Sequence, residues 1–370
     1  MNIYIPMILL STFFAMIATA KRGKKELNSE TDTYSTKENA IWIILSALPP
    51  YLVSALRYGL GTDYFFTYVP RFYRYMSDPN LPMDWEPAFW LLYKGLVKVT
   101  TNPQWVFVVT SAVIIGLVWY SVFKVSSLPW MGILLFFISR QFFISLNGVR
   151  QYVGLAFVLL GITFLKEKKY LGYLVCVLLG TLCHYSTAIF FVAFGLAFVV
   201  ISPLEGILIV GVMSVFAEYF KGLLRAIISK TVYASYIGGT FDTNERYNPW
   251  TIFELLFVFC VLVILMQKYP KKDKNPFMKY LFDTNLLCLF VSFNLNLLPN
   301  SERISWSLEL PSILLIPEVI NRVDNKKEKT IVTTCVTLVY AYVMYMRLLE
   351  GDHEVVPYQV IPTLSVLLYT

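Results

Sequence analysis

The stretch Ala40–Leu56, AIWIILSALPPYLVSAL, runs directly into Arg57-Tyr58-Gly59-Leu60-Gly61-Thr62-Asp63-Tyr64, and this join decides how the chain is read. Its first part is long and apolar enough to cross a bilayer, which takes roughly 17–25 residues of helix. Its second part sets a cation, two glycines, a carboxylate and an aromatic within eight positions. Glycine lets the backbone leave a helix end and approach a ligand closely. Arg57 offers a planar fork suited to phosphate, and Asp63 offers a base or a partner for a cation. A plain loop closed by a salt bridge would use the same residues. The two readings part on whether other charges gather on the same side.

Hydrophobic residues make up 57% of the 370, charged residues only 15%, and mean hydropathy is +0.60. A soluble domain carries about 25% charged residues. Apolar runs approaching span length recur throughout, so the fold expected is an all-α polytopic membrane protein. We count about 12 transmembrane helices plus interfacial or re-entrant ones, in a single transmembrane domain over residues 1–370. The net charge of +7 falls in short basic clusters between apolar runs, which excludes a nucleic-acid partner and points to the lipid bilayer. The five cysteines sit inside apolar runs and read as buried small hydrophobes. No phosphate-binding glycine loop, dinucleotide fingerprint or Gly-x-Ser-x-Gly elbow occurs, and two histidines do not suggest a metal site, so neither cofactor nor metal is expected.

Orientation follows from charge. Lys21-Arg22-Gly23-Lys24-Lys25 closes a retained first span, Ile3 to Ala20, and is cytoplasmic by the positive-inside rule. Continuous spans are expected at Leu128–Leu146, Leu204–Phe220 and Ile304–Ile320, among others. Tyr170 to Ser202 is too long for one helix, and its only polar break, Cys183-His184-Tyr185-Ser186-Thr187, places His184 at an outer hairpin. Segments 57–104, 221–249 and 347–370 are expected outside, forming the active-site side. The first holds an aromatic, basic interfacial helix around Phe65 to Tyr75 and a short apolar helix, Ala88 to Val99.

Six ionisable residues then lie at or just beyond outer helix ends: Arg57, Asp63, Glu86, Arg150, His184 and Arg303. Arg140 and Glu309 lie within expected spans, where a charge needs a wet cavity or a partner. Arg71, Arg74, Lys94 and Lys98 read as cations reaching to lipid head groups. Several arginines with two carboxylates and a histidine at one face suit a diphosphate and a proton acceptor beside it.

Taken in order, Arg57-x-x-x-Gly61-Thr62-Asp63-Tyr64, Glu86-Pro87, Asn147-x-x-Arg150-Gln151, His184-x-Ser186, Arg303 and Pro357-Tyr358 resemble the EpsG-like family. The resemblance covers nearly the whole chain, and only the apolar tail after Tyr358 departs from it. It implies a Wzy-type polysaccharide polymerase of exopolysaccharide and capsule synthesis, a glycosyltransferase with GT-C-like architecture. Such an enzyme joins undecaprenyl-diphosphate-linked repeat units at the outer face of the bacterial cytoplasmic membrane. A chain-length regulator and a flippase are the pathway partners implied. On this reading Arg57, Arg150 and Arg303 bind the diphosphate without a metal, and Asp63, Glu86 and His184 are the candidate bases. Tyr64, Trp85, Asn147 and Gln151 contact sugar or lipid. The competing readings are a GT-C glycosyltransferase with a polyprenyl-phosphate sugar donor, and a lipid-linked oligosaccharide flippase or transporter.

Overall fold

The computed structural model describes residues 2–26, 37–199, 202–230, 234–239, 242, 248–270, 276–297 and 299–361. Asn244-Glu245-Arg246-Tyr247, Lys271 to Lys274 and the tail beyond Ile361 lie outside them. Among the described residues every element is helical, with one isolated antiparallel bridge between Arg57 and Val360. The sequence reads as one membrane domain; its internal contacts fall into two compact units, Met1–Thr187 with Tyr340–Thr370, and Ala188–Val339.

The first unit holds α1 (Tyr4–Glu26), α2 (Lys37–Ala55), α3 (Val69–Ser77), α4 (Pro87–Leu96), α5 (Gln104–Val125), α6 (Pro129–Ile138), α7 (Gln141–Asn147), α8 (Val149–Lys166) and α9 (Tyr170–Cys183). One π-helical turn, Tyr64–Tyr68, leads into α3. Proline stands in the first turn of α3, α4 and α6, where its missing N–H costs nothing and its fixed φ starts the helix. The second unit holds α10 (Ile189–Leu196), α11 (Pro203–Val215), α12 (Ala217–Ile228), α13 (Pro249–Lys268), α14 (Pro276–Phe293), α15 (Ser301–Glu309), α16 (Ser312–Asn321) and most of α17 (Lys326–Leu349). Ser202 and Glu205 cap α11 reciprocally. The end of α17, from Tyr340, belongs to the first unit.

Among the described residues five helices are long and apolar enough to cross a membrane: Tyr4–Lys21, Gln104–Val125, Val149–Lys166, Pro249–Lys268 and Lys326–Leu349. Two bent pairs raise the number to seven if each is one span. The chain is thus a multi-pass helical membrane protein, and on these criteria the described residues hold five to seven spans against the expected count of about 12. Breaks inside expected spans account for much of the difference. Leu128–Leu146 is not continuous: α6 and α7 meet at a 54° bend, where buried Arg140 adopts a left-handed φ of 66°. Leu204–Phe220 gives way to α11 and α12, bent by 61°, and helix continues into the segment expected to lie outside from residue 221. Ile304–Ile320 divides into α15 and α16 around Leu310 and Pro311. By contrast, Tyr170 to Ser202 breaks at His184, where α9 ends.

The tightest crossing in the first unit is between α8 and α9. A Cβ at Gly154 would meet the Gly180 carbonyl oxygen at 2.7 Å, and one at Gly180 would meet the Gly154 oxygen at 2.7 Å. Gly161, opposite Tyr173 and Cys176, continues the seam. Small residues here let two backbones touch, the usual basis of helix association in lipid. Because α8 and α9 run antiparallel, the start of α8 and the end of α9 come to the same end of the pair. Gly154→Val is therefore expected to lower the thermal midpoint of the detergent-solubilised protein markedly, an overpacking cost of about 1–3 kcal/mol. Gly116→Ala is the control, since nothing lies within 4 Å of its added methyl, and it should melt like the native chain.

Candidate functional site

Antiparallel pairing of α8 and α9 puts Arg150, four residues before Gly154, level with His184, four residues after Gly180. Around this end gather the loop after α2, the π turn, and the start of α4, which packs on α9.

Glu86 is the N-cap residue of α4 and is buried; its carboxylate accepts from a terminal guanidinium nitrogen of Arg150. The Arg150 side chain keeps 17% of its surface exposed. Its guanidinium carbon lies 4.3 Å from the Trp85 ring centre, a cation–π contact. Arg71 of α3 lies over the same ring at 4.2 Å and pairs with Asp84 at 3.0 Å. Asp84 also accepts from Arg74 at 3.3 Å and from the Tyr75 hydroxyl. Burial, then that hydrogen bond, push the Tyr75 phenol up to about 12.

Asn147, the last residue of α7, ties this group to the glycine loop. Its Oδ1 accepts from the Asp63 backbone N–H at 3.0 Å, and its carbonyl accepts from the Tyr68 hydroxyl at 3.3 Å. That Tyr68 oxygen in turn accepts from the Arg150 backbone N–H at 3.4 Å. Half-buried Asp63 accepts from Thr67 Oγ1 at 3.1 Å. Gly61 makes this approach possible: its φ is +79°, and a Cβ there would sit 2.8 Å from Asn147 Oδ1. Buried Gln151 follows Arg150 on α8.

His184 is buried at the end of α9. Its Nδ1 accepts from the Ser186 backbone N–H at 3.3 Å and lies 2.9 Å from Ser186 Oγ. A backbone N–H can only donate, so the ring proton is on Nε2.

Arg57 stands apart in kind. It is 1% exposed, and one terminal nitrogen donates to the Ser54 carbonyl and to Ser54 Oγ at 3.1 Å. Its guanidinium lies over Phe107 at 4.5 Å. Burial lowers its pKa to about 10, opposed by the facing tyrosines Tyr68, Tyr64, Tyr358 and Tyr4. Burial likewise raises the Tyr64 phenol, and Arg57 opposes it. Gln104 closes the cage: its Nε2 donates to the carbonyls of Ala55 at 2.6 Å and Arg57 at 3.0 Å, while its Oε1 accepts from Tyr64 at 2.8 Å. The C-terminal segment seals it, with Tyr58 N–H donating to Gln359, Ile361 N–H to Leu56 and the Tyr358 hydroxyl to Val53.

The first unit thus brings together Asp63, Trp85, Glu86, Asn147, Arg150, Gln151 and His184 at one end, with Tyr64 and Arg57 in the adjoining cage. Arg303 is in the first turn of α15, in the second unit. Sequence reasoning gave Gln104 and Asp84 no role, placed Tyr68 in the aromatic interfacial helix and left Arg71 to the lipid surface. The density of aromatic and basic residues between Tyr64 and Trp85 could have signalled Tyr68, Arg71 and Asp84, whereas nothing in the sequence signalled Gln104. Among the described residues no three His, Cys, Asp or Glu side chains converge as a metal site needs.

Gly61→Ala forces a positive φ on a residue with a side chain, which costs roughly 1–2 kcal/mol, and drives a methyl against Asn147. The expected result is a lower thermal midpoint. In an Asn147→Ala background the added cost of Gly61→Ala should shrink, because the 2.8 Å clash with Oδ1 is gone while the φ strain and a 3.1 Å contact with the Asn147 Cβ remain; equal costs in both backgrounds would separate the two residues.

The EpsG family model matches residues 40–360, a range that takes in every motif position from Arg57 to Tyr358. Neither a curated protein nor a solved structure matches the chain. On the extent of the family match, this chain belongs to the EpsG family.

Proposed function

We propose that this protein is a Wzy-like polysaccharide polymerase, a glycosyltransferase that joins undecaprenyl-diphosphate-linked oligosaccharide repeat units into exopolysaccharide or capsule. Family membership supports the coarser part, a multi-pass membrane protein of polysaccharide synthesis. The observation that carries the finer part is the Arg150–Glu86 ion pair beside Trp85, level with His184 and linked through Asn147 to Asp63. The proposed setting is the outer face of the bacterial cytoplasmic membrane, with segments 57–104 and 347–370 on that side and a GT-C-like arrangement of helices. A chain-length regulator and a flippase would act with it.

In the reaction the anomeric carbon of the growing glycan leaves its diphosphate and bonds to a hydroxyl of the incoming lipid-linked unit. The bond to diphosphate breaks with its electron pair, and the hydroxyl proton passes to a base. Charge grows on the leaving diphosphate, and a preorganised guanidinium stabilises it there. Arg150 is assigned that role, and Arg303 the same role on its motif alone. Arg57, sealed from solvent, acts as a positioning residue for the glycine loop. Glu86 is the favoured base: a diphosphate that takes Arg150 frees the carboxylate oxygen the arginine holds at rest. His184, whose Nδ1 is held by Ser186, and Asp63 are the alternative bases. Half-buried Trp85 and Asn147 shape the sugar and lipid side, while buried Tyr64 and Gln151 act as positioning residues.

The decisive experiment gives the purified protein synthetic diphosphate-linked repeat units and nothing else. A ladder of products is expected. A single added sugar would indicate a glycosyltransferase of another kind, and movement across vesicles without product a flippase. Arg150→Ala should abolish the ladder, and Arg303→Lys should restore little of what Arg303→Ala loses, since an ammonium lacks the paired donors. Glu86→Gln should slow turnover by about 10²–10⁴-fold, the typical worth of a general base; normal turnover would move that role to Asp63.

A further inference from the structure

We infer that Arg71 is the second arm of the diphosphate clamp, paired with Arg150 across the Trp85 indole and held at rest by Asp84. This rests on the diphosphate reading above and adds a ligand that neither the motifs nor the family match assigns.

Both guanidinium carbons lie within 4.3 Å of the Trp85 ring, so the two cations are no more than about 9 Å apart, roughly twice that distance. Each could take one phosphate of a diphosphate through paired N–H donors at about 2.8 Å. Each is also matched at rest by its own carboxylate, Arg71 by Asp84 and Arg150 by Glu86, so the pattern is two cations and two anions around one indole. Like charges this close repel unless anions intervene, and a diphosphate supplies two anionic groups in one molecule. Both side chains are partly accessible, 24% for Arg71 and 17% for Arg150, so a ligand can reach them while solvent screens them little. The Arg150 Nε is buried without a hydrogen-bond partner among the described residues, a donor left over by the resting pair. Arg74 also reaches Asp84, but its side chain is 58% exposed, and so screened a cation holds an anion weakly.

Calorimetric titration of the full chain in detergent tests this, with farnesyl diphosphate and farnesyl monophosphate as probes. The native chain should prefer the diphosphate by at least about tenfold, the worth of one charge-assisted contact. Arg71→Gln should erase that preference and leave monophosphate affinity within about twofold, whereas Arg150→Gln should weaken both. Inorganic pyrophosphate should compete and farnesol should not; the reverse would show a lipid-chain site and overturn the inference. A native preference retained in Arg71→Gln overturns the inference alone and leaves the Arg150 reading standing. Failure of the native chain to bind either phosphate defeats both. Asp84→Asn keeps Arg71 and releases it, so it should tighten farnesyl diphosphate several-fold. Unchanged or weaker binding in that variant also refutes Arg71 as a phosphate ligand.

Discussion

The approach of two backbones at Gly154 and Gly180 governs the geometry of the first unit. At that crossing a carbonyl oxygen lies 2.7 Å from where a Cβ would stand on either glycine, too close for any side chain. Because α8 and α9 are antiparallel, the contact fixes a level along both helices at once. Four residues from it in either helix, about 6 Å along the axis, come Arg150 and His184. A seam of larger residues would push the helices apart and separate these groups sideways. The site is therefore an outcome of packing in the apolar region, made by residues that carry no chemistry themselves. Everything else at this end is added to the pair: α4 brings Glu86, α7 brings Asn147, and Asn147 draws in the glycine loop.

The two arginines of the first unit show how exposure separates structure from chemistry. Arg57 has its donors turned inward to Ser54 and its face on Phe107, within a wall of tyrosines. Taking such a charge from water is costly, and the cage recovers part of that cost through hydrogen bonds and a π face. What results is a rigid junction of the α2 end, the π turn and the C-terminal strap. Arg150 is buried less completely, and its partner is a carboxylate, not a carbonyl. A carboxylate can be exchanged for another anion; a backbone carbonyl at a helix end cannot be spared in the same way.

Much of this was legible in the chain and some was not, for identifiable reasons. Apolar runs marked the helices, the short one from Ala88 among them, and the polar interruption at His184 marked the end of α9. The break at Arg140 had no such signal, because a non-glycine residue in the left-handed region is set by its surroundings and not by its own preference. Pro311 was a visible signal that a hydropathy reading of Ile304–Ile320 overrode. The motif residues around Asp63, Glu86 and Arg150 were found because several charges in an apolar chain are conspicuous. The burial of Arg57 was not, since a cation next to two glycines reads equally as a ligand or as a brace. Gln104 was invisible for a plainer reason: its work is to satisfy two carbonyls and a phenol that only the folded loop brings to it.

Trp85 shows how these strands meet. An aromatic beside the proposed sugar site invites stacking on a pyranose, yet here the indole has guanidinium groups over it from α3 and α8. A ring engaged in that way is a poor platform and a good spacer: it holds two cations close, keeps their side chains from folding elsewhere, and leaves their N–H edges for anions. Asp84 and Glu86 flank Trp85 in sequence, so one short segment supplies both the spacer and the two resting counter-ions. A substrate anion entering this arrangement would, on the proposed reading, meet donors already oriented and displace carboxylates without having to strip guanidinium groups of water. On the proposed reading, one of those displaced carboxylates is the base the acceptor hydroxyl requires. Binding of the leaving group and availability of the base are then a single event, which explains why Glu86 lies against Arg150 and not against solvent.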